Sequence, residues 1–453
     1  MTARQKLFAA ALALALPFGA FAQATPAAPA AEPEKPATPP AEKKPAAEDT
    51  VKVTPYGFVQ LSGFWDDKAF TTRDYPAQVA AENTGGSFLM SARYSRFGVR
   101  LATKDTAVTH ADLTGVIEFD FKAGQLPTSA SCPANPTGAA VSCTIGGANT
   151  PSTAWYNGLM RLRLAAMTAS WKGDWGSFSV LAGQEYGLVN PLFAESITWT
   201  ADPLFWQAGN LWRRSPQIRA TVTPKIGDAL GLIIQGAVLS PADAQTGTGY
   251  TVDYGAGNRS RQPDLEARVA LTGKASADIN GTVGIGYHSN KKRLYAAGVT
   301  TTAGAFKDLT ADGFGVDAEI NVPYLGLKGE YYDMKGLDDT YNAIAPGQGR
   351  TGTAADFRLP KSTGYWGQAV VKVIPAAWVT IGYGEAHADK ADLTAIGAAT
   401  SQRSNNTQLA AGLIINAGKF WRFGGEYCRT KTRYLNNAEP DGQQFALSSQ
   451  LKF

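Results

Sequence analysis

The chain has 453 residues, 44% of them hydrophobic and only 18% charged, with 48 Gly, 25 Pro, 10 Trp, 17 Tyr and 20 Phe. That is too apolar and aromatic for a disordered chain. Three Cys and three His leave little for metal chemistry, and a formal charge of +4 from 42 basic and 38 acidic residues carries no nucleic-acid signature.

Residues 1–24 read as a secretory signal peptide. Arg4 and Lys6 form the positive n-region, Leu7 to Leu16 the apolar stretch, and Ala20-Phe21-Ala22 or Ala22-Gln23-Ala24 the small cleavage residues. Beyond them no window approaches the roughly 20 consecutive apolar residues of a spanning helix. Residues 25–52 are rich in Ala, Pro, Lys and Glu, with Pro26, Pro29, Pro33, Pro36, Pro39, Pro40 and Pro45 too close together for a helix. They read as an extended linker in the periplasm, with a tether to peptidoglycan as the alternative.

From 53 to 453 the dominant signal is alternation. Leu113, Gly115, Ile117, Phe119 and Phe121 interleave with Thr114, Glu118, Asp120 and Lys122, which gives one greasy and one mostly polar face. The spacing predicts strands near 53–66, 89–103, 112–122, 157–172, 177–185, 213–224, 229–239, 263–274, 279–290, 311–322, 324–335, 362–374, 377–388, 405–417, 420–433 and 442–453. Very short connections alternate with long ones at 123–156, 186–212, 240–262 and 336–361. This is the pattern of an all-β, antiparallel transmembrane barrel of sixteen strands, with short periplasmic turns and long external loops. The last strand ends on Phe453, and Trp65, Trp171, Trp175, Trp378, Trp421 and Tyr427 near strand ends fit interfacial girdles. The expected location is the outer membrane of a Gram-negative bacterium, in contact with its lipid and lipopolysaccharide.

Tyr56-Gly57-Phe58-Val59-Gln60-Leu61, Ser91-Ala92-Arg93-Tyr94-Ser95-Arg96-Phe97-Gly98, Gly115 to Phe121, Arg161-Leu162-Arg163, Leu181-Ala182-Gly183-Gln184 and Arg213-Arg214-Ser215-Pro216-Gln217-Ile218-Arg219 follow one another in strands 1 to 6. With these motifs the chain resembles Gram-negative porins, and more narrowly the DcaP-type trimeric porins. The resemblance implies a homotrimer and a third external loop, 186–212, folded into the barrel. Its helical coiled-coil N-terminus does not carry over, because this N-terminus is rich in proline.

Strand parity points Arg96, Arg100, Glu118, Asp120, Arg161, Arg163, Arg213 and Arg219 into the lumen, since a charge on the lipid face is costly. Loop 186–212 contributes Glu195 and Asp202 as its only acids. An arginine wall opposite loop carboxylates would favour small anionic solutes, such as carboxylates, in passive diffusion. Alternatively, the arginines pair with Glu118 and Asp120 and brace the wall. Inward Asp264, Glu266, Arg268, Asp317, Glu319, Lys328, Glu330, Arg422 and Glu426 are of mixed sign, so only the constriction could supply a bias. Two rival functions are a phosphate-type substrate channel and a plugged barrel acting as adhesin or tether.

Cys132 and Cys143 share one loop, and a disulfide between them is expected in an oxidising envelope. Labelling of both thiols without reductant would contradict it. Cys428 reads as a packing residue. His110, His288 and His387 match no metal template, and no nucleophile elbow, Walker loop or dinucleotide fingerprint occurs, so neither an enzyme nor a cofactor is expected.

Overall fold

The computed structural model describes residues 50–80, 85–104, 109–123, 130–131, 144–145, 158–241, 255–295, 306–351 and 356–453. The signal peptide, nearly all of the linker and the Cys132–Cys143 pair lie outside them.

Sixteen antiparallel strands close into one barrel. They are β1 (Lys52–Asp66), β2 (Ser87–Ser91 and Arg96–Thr103), β3 (Asp112–Asp120), β4 (Arg161–Gly173), β5 (Gly176–Tyr186), β6 (Arg214–Pro224), β7 (Leu230–Leu239) and β8 (Asp264–Lys274). The second half holds β9 (Asn280–Tyr295), β10 (Phe306–Val322), β11 (Leu325–Lys335), β12 (Lys361–Ile374), β13 (Ala377–Ala388), β14 (Arg403–Ala417), β15 (Trp421–Tyr434) and β16 (Asp441–Lys452). Pairing of β16 with β1, for example Phe445 with Trp65, leaves no free edge. Closure of this kind lets strands cross a bilayer without unpaired backbone groups.

Two strand expectations are refined. The second strand breaks at 92–95, because Arg93 and Tyr94 both turn inward to reach Asp74, at 2.5 Å and through the Asp74 carbonyl at 2.7 Å. The ninth and tenth strands run on as a longer hairpin, paired from Asn280↔Asn321 to Tyr295↔Phe306.

The outer surface carries the alternating apolar set. Leu61, Met90, Leu101, Ile117, Met167, Ile218, Val283, Ile320, Leu413 and Leu447 are all exposed. Half-exposed Tyr331, Tyr365, Tyr383, Phe445 and Trp65 form an aromatic girdle toward the long-loop end, and Tyr324, Phe420, Trp421 and Trp175 form another at the short-turn end. A closed barrel with an apolar exterior between two girdles is built for an outer membrane.

The interior is not empty. Among the described residues three short helices, α1 (Ala256–Ser260), α2 (Asp338–Tyr341) and α3 (Lys390–Ala395), lie in the long connections. The largest buried cluster joins Phe64, Tyr94, Trp366 and Cys428 of the wall to Tyr75, Trp199, Leu204 and Phe205 of two inward-turned loops.

Candidate pore constriction

The connection from β5 to β6 runs inside the barrel, and inward carboxylates hold it by its amides. Glu266 of β8 accepts from Leu188 N at 2.5 Å, and Glu330 of β11 accepts from Leu192 N at 2.6 Å. Glu426 of β15 accepts from Thr198 N at 2.7 Å and from the Ser196 hydroxyl at 2.9 Å. Gln368 of β12 accepts from Glu195 N and donates to Glu195 O, while Gln60 and Gln450 donate to Thr198 O and Ile197 O. The wall thus supplies the partners that a loop taken out of water needs. Three of the six inward acids that seemed to leave the lumen without a bias, Glu266, Glu330 and Glu426, are occupied in this way.

The loop returns through Phe205, stacked on Trp366 with centroids 5.9 Å apart, and through Gly209 at φ +107°. A Cβ on Gly209 would lie 2.0 Å from the Tyr365 carbonyl oxygen. Gly209→Ala is therefore expected to loosen the returning arm at a cost of more than about 1 kcal/mol. Faster amide exchange at 205–211 with an intact barrel would report it, and unchanged exchange would contradict it.

The connection from β1 to β2 enters too. Its Tyr75 hydroxyl donates to Pro203 O at 2.5 Å, while Asn406 and Gln408 of β14 donate to Ala77 O and Pro76 O.

One chain of ion pairs ties both loops to β2–β4. Arg93 and Lys122 hold Asp74 (2.5 and 3.4 Å), and Lys122 and Arg161 hold Asp202 (2.8 and 3.4 Å). Arg161 and Arg163 share Asp120 at 2.7 Å each, and Glu118 takes Arg163 at 2.7 Å and Arg96 at 3.6 Å. A bulge at Arg163, where Glu118 faces Leu164 and Phe119 faces Leu162, keeps Arg161 and Arg163 on the inner side. Burial alone would raise the Asp202 carboxyl, but Lys122 and Arg161 outweigh it and hold the group well below the usual carboxylate range.

The candidate residues therefore separate. Arg161, Arg163, Glu118, Asp120 and Asp202 neutralise one another, with Arg163 only 2% exposed, and this matches the bracing alternative. Arg213 is likewise buried, on Asp264 at 2.8 Å. Arg96 ends the chain and also donates to Thr200 O. Arg100 lies over the Tyr56 ring at 4.3 Å, and Arg219 bonds Gln217 and Tyr186 O, with no carboxylate on either among the described residues.

Other cations complete the site. Arg214 lies over the rings of Trp212 and Tyr186 at 5.0 and 5.8 Å. Glu195, 43% exposed, faces Lys328 at 3.5 Å and Arg422 at 3.9 Å, with Lys452 also within range of its charge. Glu195 borders two cavities. One, of about 250 Å³, is shared with Arg96, Tyr186, Phe193, Trp199 and Trp212, and the other, of about 280 Å³, with Glu319, Lys328, Lys372 and Trp378. Parity had marked Lys328 and Arg422 as inward, but no local signal singled them out from the acids around them.

The connection 336–360 rests on this assembly. Tyr341 of α2 donates to Glu266 at 2.8 Å, and Asn342 O accepts from Trp206 Nε1 at 2.8 Å. Asp338 is buried against Ser362 Oγ (2.7 Å) and Ala345 N (3.1 Å), and burial pushes its carboxyl from the usual 3.8 up to about 7. The folded loop then holds a proton that the free loop loses. Docking is strongest below the ordinary value, weakens as pH rises from about 4 to about 7, and then levels off. Asp338→Asn, which mimics the protonated form, should flatten this dependence of up to about tenfold per pH unit in exchange protection at 338–345. The same slope in the variant would contradict the assignment.

No family model matches the chain, and no curated protein matches it in sequence. Solved structures do. The outer membrane channel DcaP of Acinetobacter baumannii superimposes with a TM-score of 0.60 at 17% identity, over 89% of this chain and 97% of that one. OmpT, an outer membrane protein of Vibrio cholerae, in its trimer form gives 0.50 at 12% identity over 89% and 100%. An anion-selective porin from Comamonas acidovorans gives 0.49 at 13% identity over 89% and 100%. The fold is that of the outer-membrane porins.

Proposed function

We propose that the protein is a trimeric porin for passive diffusion of small hydrophilic solutes, biased toward anions such as carboxylates. One observation carries the bias: Glu266, Glu330 and Glu426 are spent on loop amides, whereas Arg96 and Arg163 border one of the two cavities beside Glu195, Lys328 and Lys372 border the other with Glu195 and Glu319, and Arg422 faces Glu195. Guanidinium and ammonium groups in a narrow passage with low-dielectric walls raise the local anion concentration. Arginine adds bidentate recognition of a carboxylate. The trimeric form of one structural neighbour supports the trimer. Residues 25–52 serve as a periplasmic spacer, and Cys132 and Cys143 close their loop.

Swelling of proteoliposomes tests this reading. Small carboxylates should enter several-fold faster than ammonium solutes of equal size, with uncharged solutes in between. Equal rates would remove the bias, and no swelling with folded protein would remove the channel.

A further inference from the structure

Between loop 187–213 and the short-turn end of the barrel lies the cavity of about 280 Å³, walled by β10 to β13. Glu319 and Asn321 come from β10, Lys328 from β11, Lys372 from β12 and Trp378 from β13, with Glu195 of the loop beside them. Lys328 stands directly opposite Glu319 in the ladder, and Lys372 directly opposite Trp378. The Lys328 ammonium nevertheless reaches Glu195, at 3.5 Å, and Arg422, itself 3.9 Å from Glu195, lies over the Trp378 ring at 4.8 Å. Glu319 takes a long hydrogen bond from Asn321 Nδ2, at 3.4 Å, and no ion pair joins Glu319 or Lys372 to an opposite charge among the described residues.

The mixture of groups selects the kind of solute. An ionised carboxylate only accepts hydrogen bonds. Glu319 therefore repels a simple anion drawn in by Lys328, Lys372 and Arg422, but it favours an anion that also carries hydroxyl donors. Asn321, whose amide is taken by Asn280 at 3.1 Å and by Glu319, has its oxygen left to offer as a second acceptor. Trp378 adds a flat apolar face, which suits the C–H face of a ring better than a flexible chain. The volume is at the small end for ligand cavities, so it takes one ring and not a chain of rings.

We infer that this cavity binds one anionic sugar on its way through the pore, a six-membered polyhydroxylated ring that carries a carboxylate or a phosphate. The anionic group lies among Lys328, Lys372 and Arg422, the hydroxyls donate to Glu319 and Asn321, and the ring rests on Trp378. This rests on the anion-favouring diffusion reading and narrows it to one class of solute.

The test is block of the potassium chloride current through the full chain in a planar bilayer, read as the probe concentration that halves it. The probes are glucuronate, glucose 6-phosphate, cyclohexanecarboxylate, which has the ring and the charge without the hydroxyls, and glucose, which has the hydroxyls without the charge. Glucuronate or glucose 6-phosphate should block at about tenfold lower concentration than either of the others, and the more effective of the two identifies the anionic group. Glu319→Gln should raise the half-blocking concentration of that sugar about tenfold, the loss of one charge-assisted hydrogen bond, although it removes a negative charge. Block by cyclohexanecarboxylate should hold or strengthen in the same variant. Cyclohexanecarboxylate that blocks the wild type as well as the sugars do, or a Glu319→Gln variant that is blocked more strongly by both, would overturn the proposal and leave the anion preference standing. Proline that blocks as well as glucuronate would assign Glu319 to an ammonium group and overturn it too. A potassium-favouring zero-current potential would overturn the underlying reading, and the proposal with it.

Discussion

Replacing Lys328 and Arg422 together by glutamate is expected to reverse the ion preference of the pore. In the native site these two cations flank Glu195 at 3.5 and 3.9 Å, with Lys452 nearby. The double substitution turns a local excess of positive charge into a cluster of three acids. At about 4 Å each charge contributes about 1 kcal/mol in a wet passage, and more where the walls exclude water. The ratio of chloride to potassium permeability should fall about tenfold or more, most clearly at low salt, where screening is weakest. Glu195→Gln should act in the opposite direction. A double variant that keeps the native permeability ratio would remove these residues from the selectivity site.

Releasing Asp202 should have the second large effect, on pore size. Its carboxylate is where the loop 187–213 meets the ion chain, bridging Lys122 and Arg161. Asp202→Asn leaves Lys122 facing only Asp74, and breaking a buried pair in this way costs about 3–5 kcal/mol. The loop should leave the β3–β4 wall, with a larger and noisier unit conductance. Lys122→Met, which removes the partner on the wall, should give the same phenotype without altering the loop. Native conductance in both variants, with native heat-modifiable migration, would contradict the latch. Because Asp202 titrates below its usual range, its contribution is complete above the ordinary carboxylate value and is lost only as pH falls through the lower folded value. Wild-type conductance should therefore stay constant on acidification from pH 7 to about 4 as far as this latch is concerned.

Strand number and facing were legible because period two repeats across the whole chain, and a charge on the lipid face is penalised at every strand. The alternation of Leu113, Ile117 and Phe119 with Glu118 and Asp120 fixed which side is wet before any partner was known. What the wet side does was not legible. Whether Arg163 is a free pore cation or a brace depends on a one-residue bulge opposite Phe119, and bulges leave little trace in alternation. The break at 92–95 depends on Asp74, which belongs to another loop. Glu266, Glu330 and Glu426 looked like lumen charges because their partners are backbone amides far away in sequence, and amides carry no side-chain signal. Once those acids are spent, Lys328 and Arg422 emerge as lumen cations that flank Glu195.

The zero-current potential of the wild-type protein in a planar bilayer, under a tenfold gradient of potassium chloride, tests the central claim most directly. A chloride-favouring sign, with current rising in three equal steps per insertion, is the predicted result. A potassium-favouring sign, or no current from protein that is folded and inserted, would contradict it.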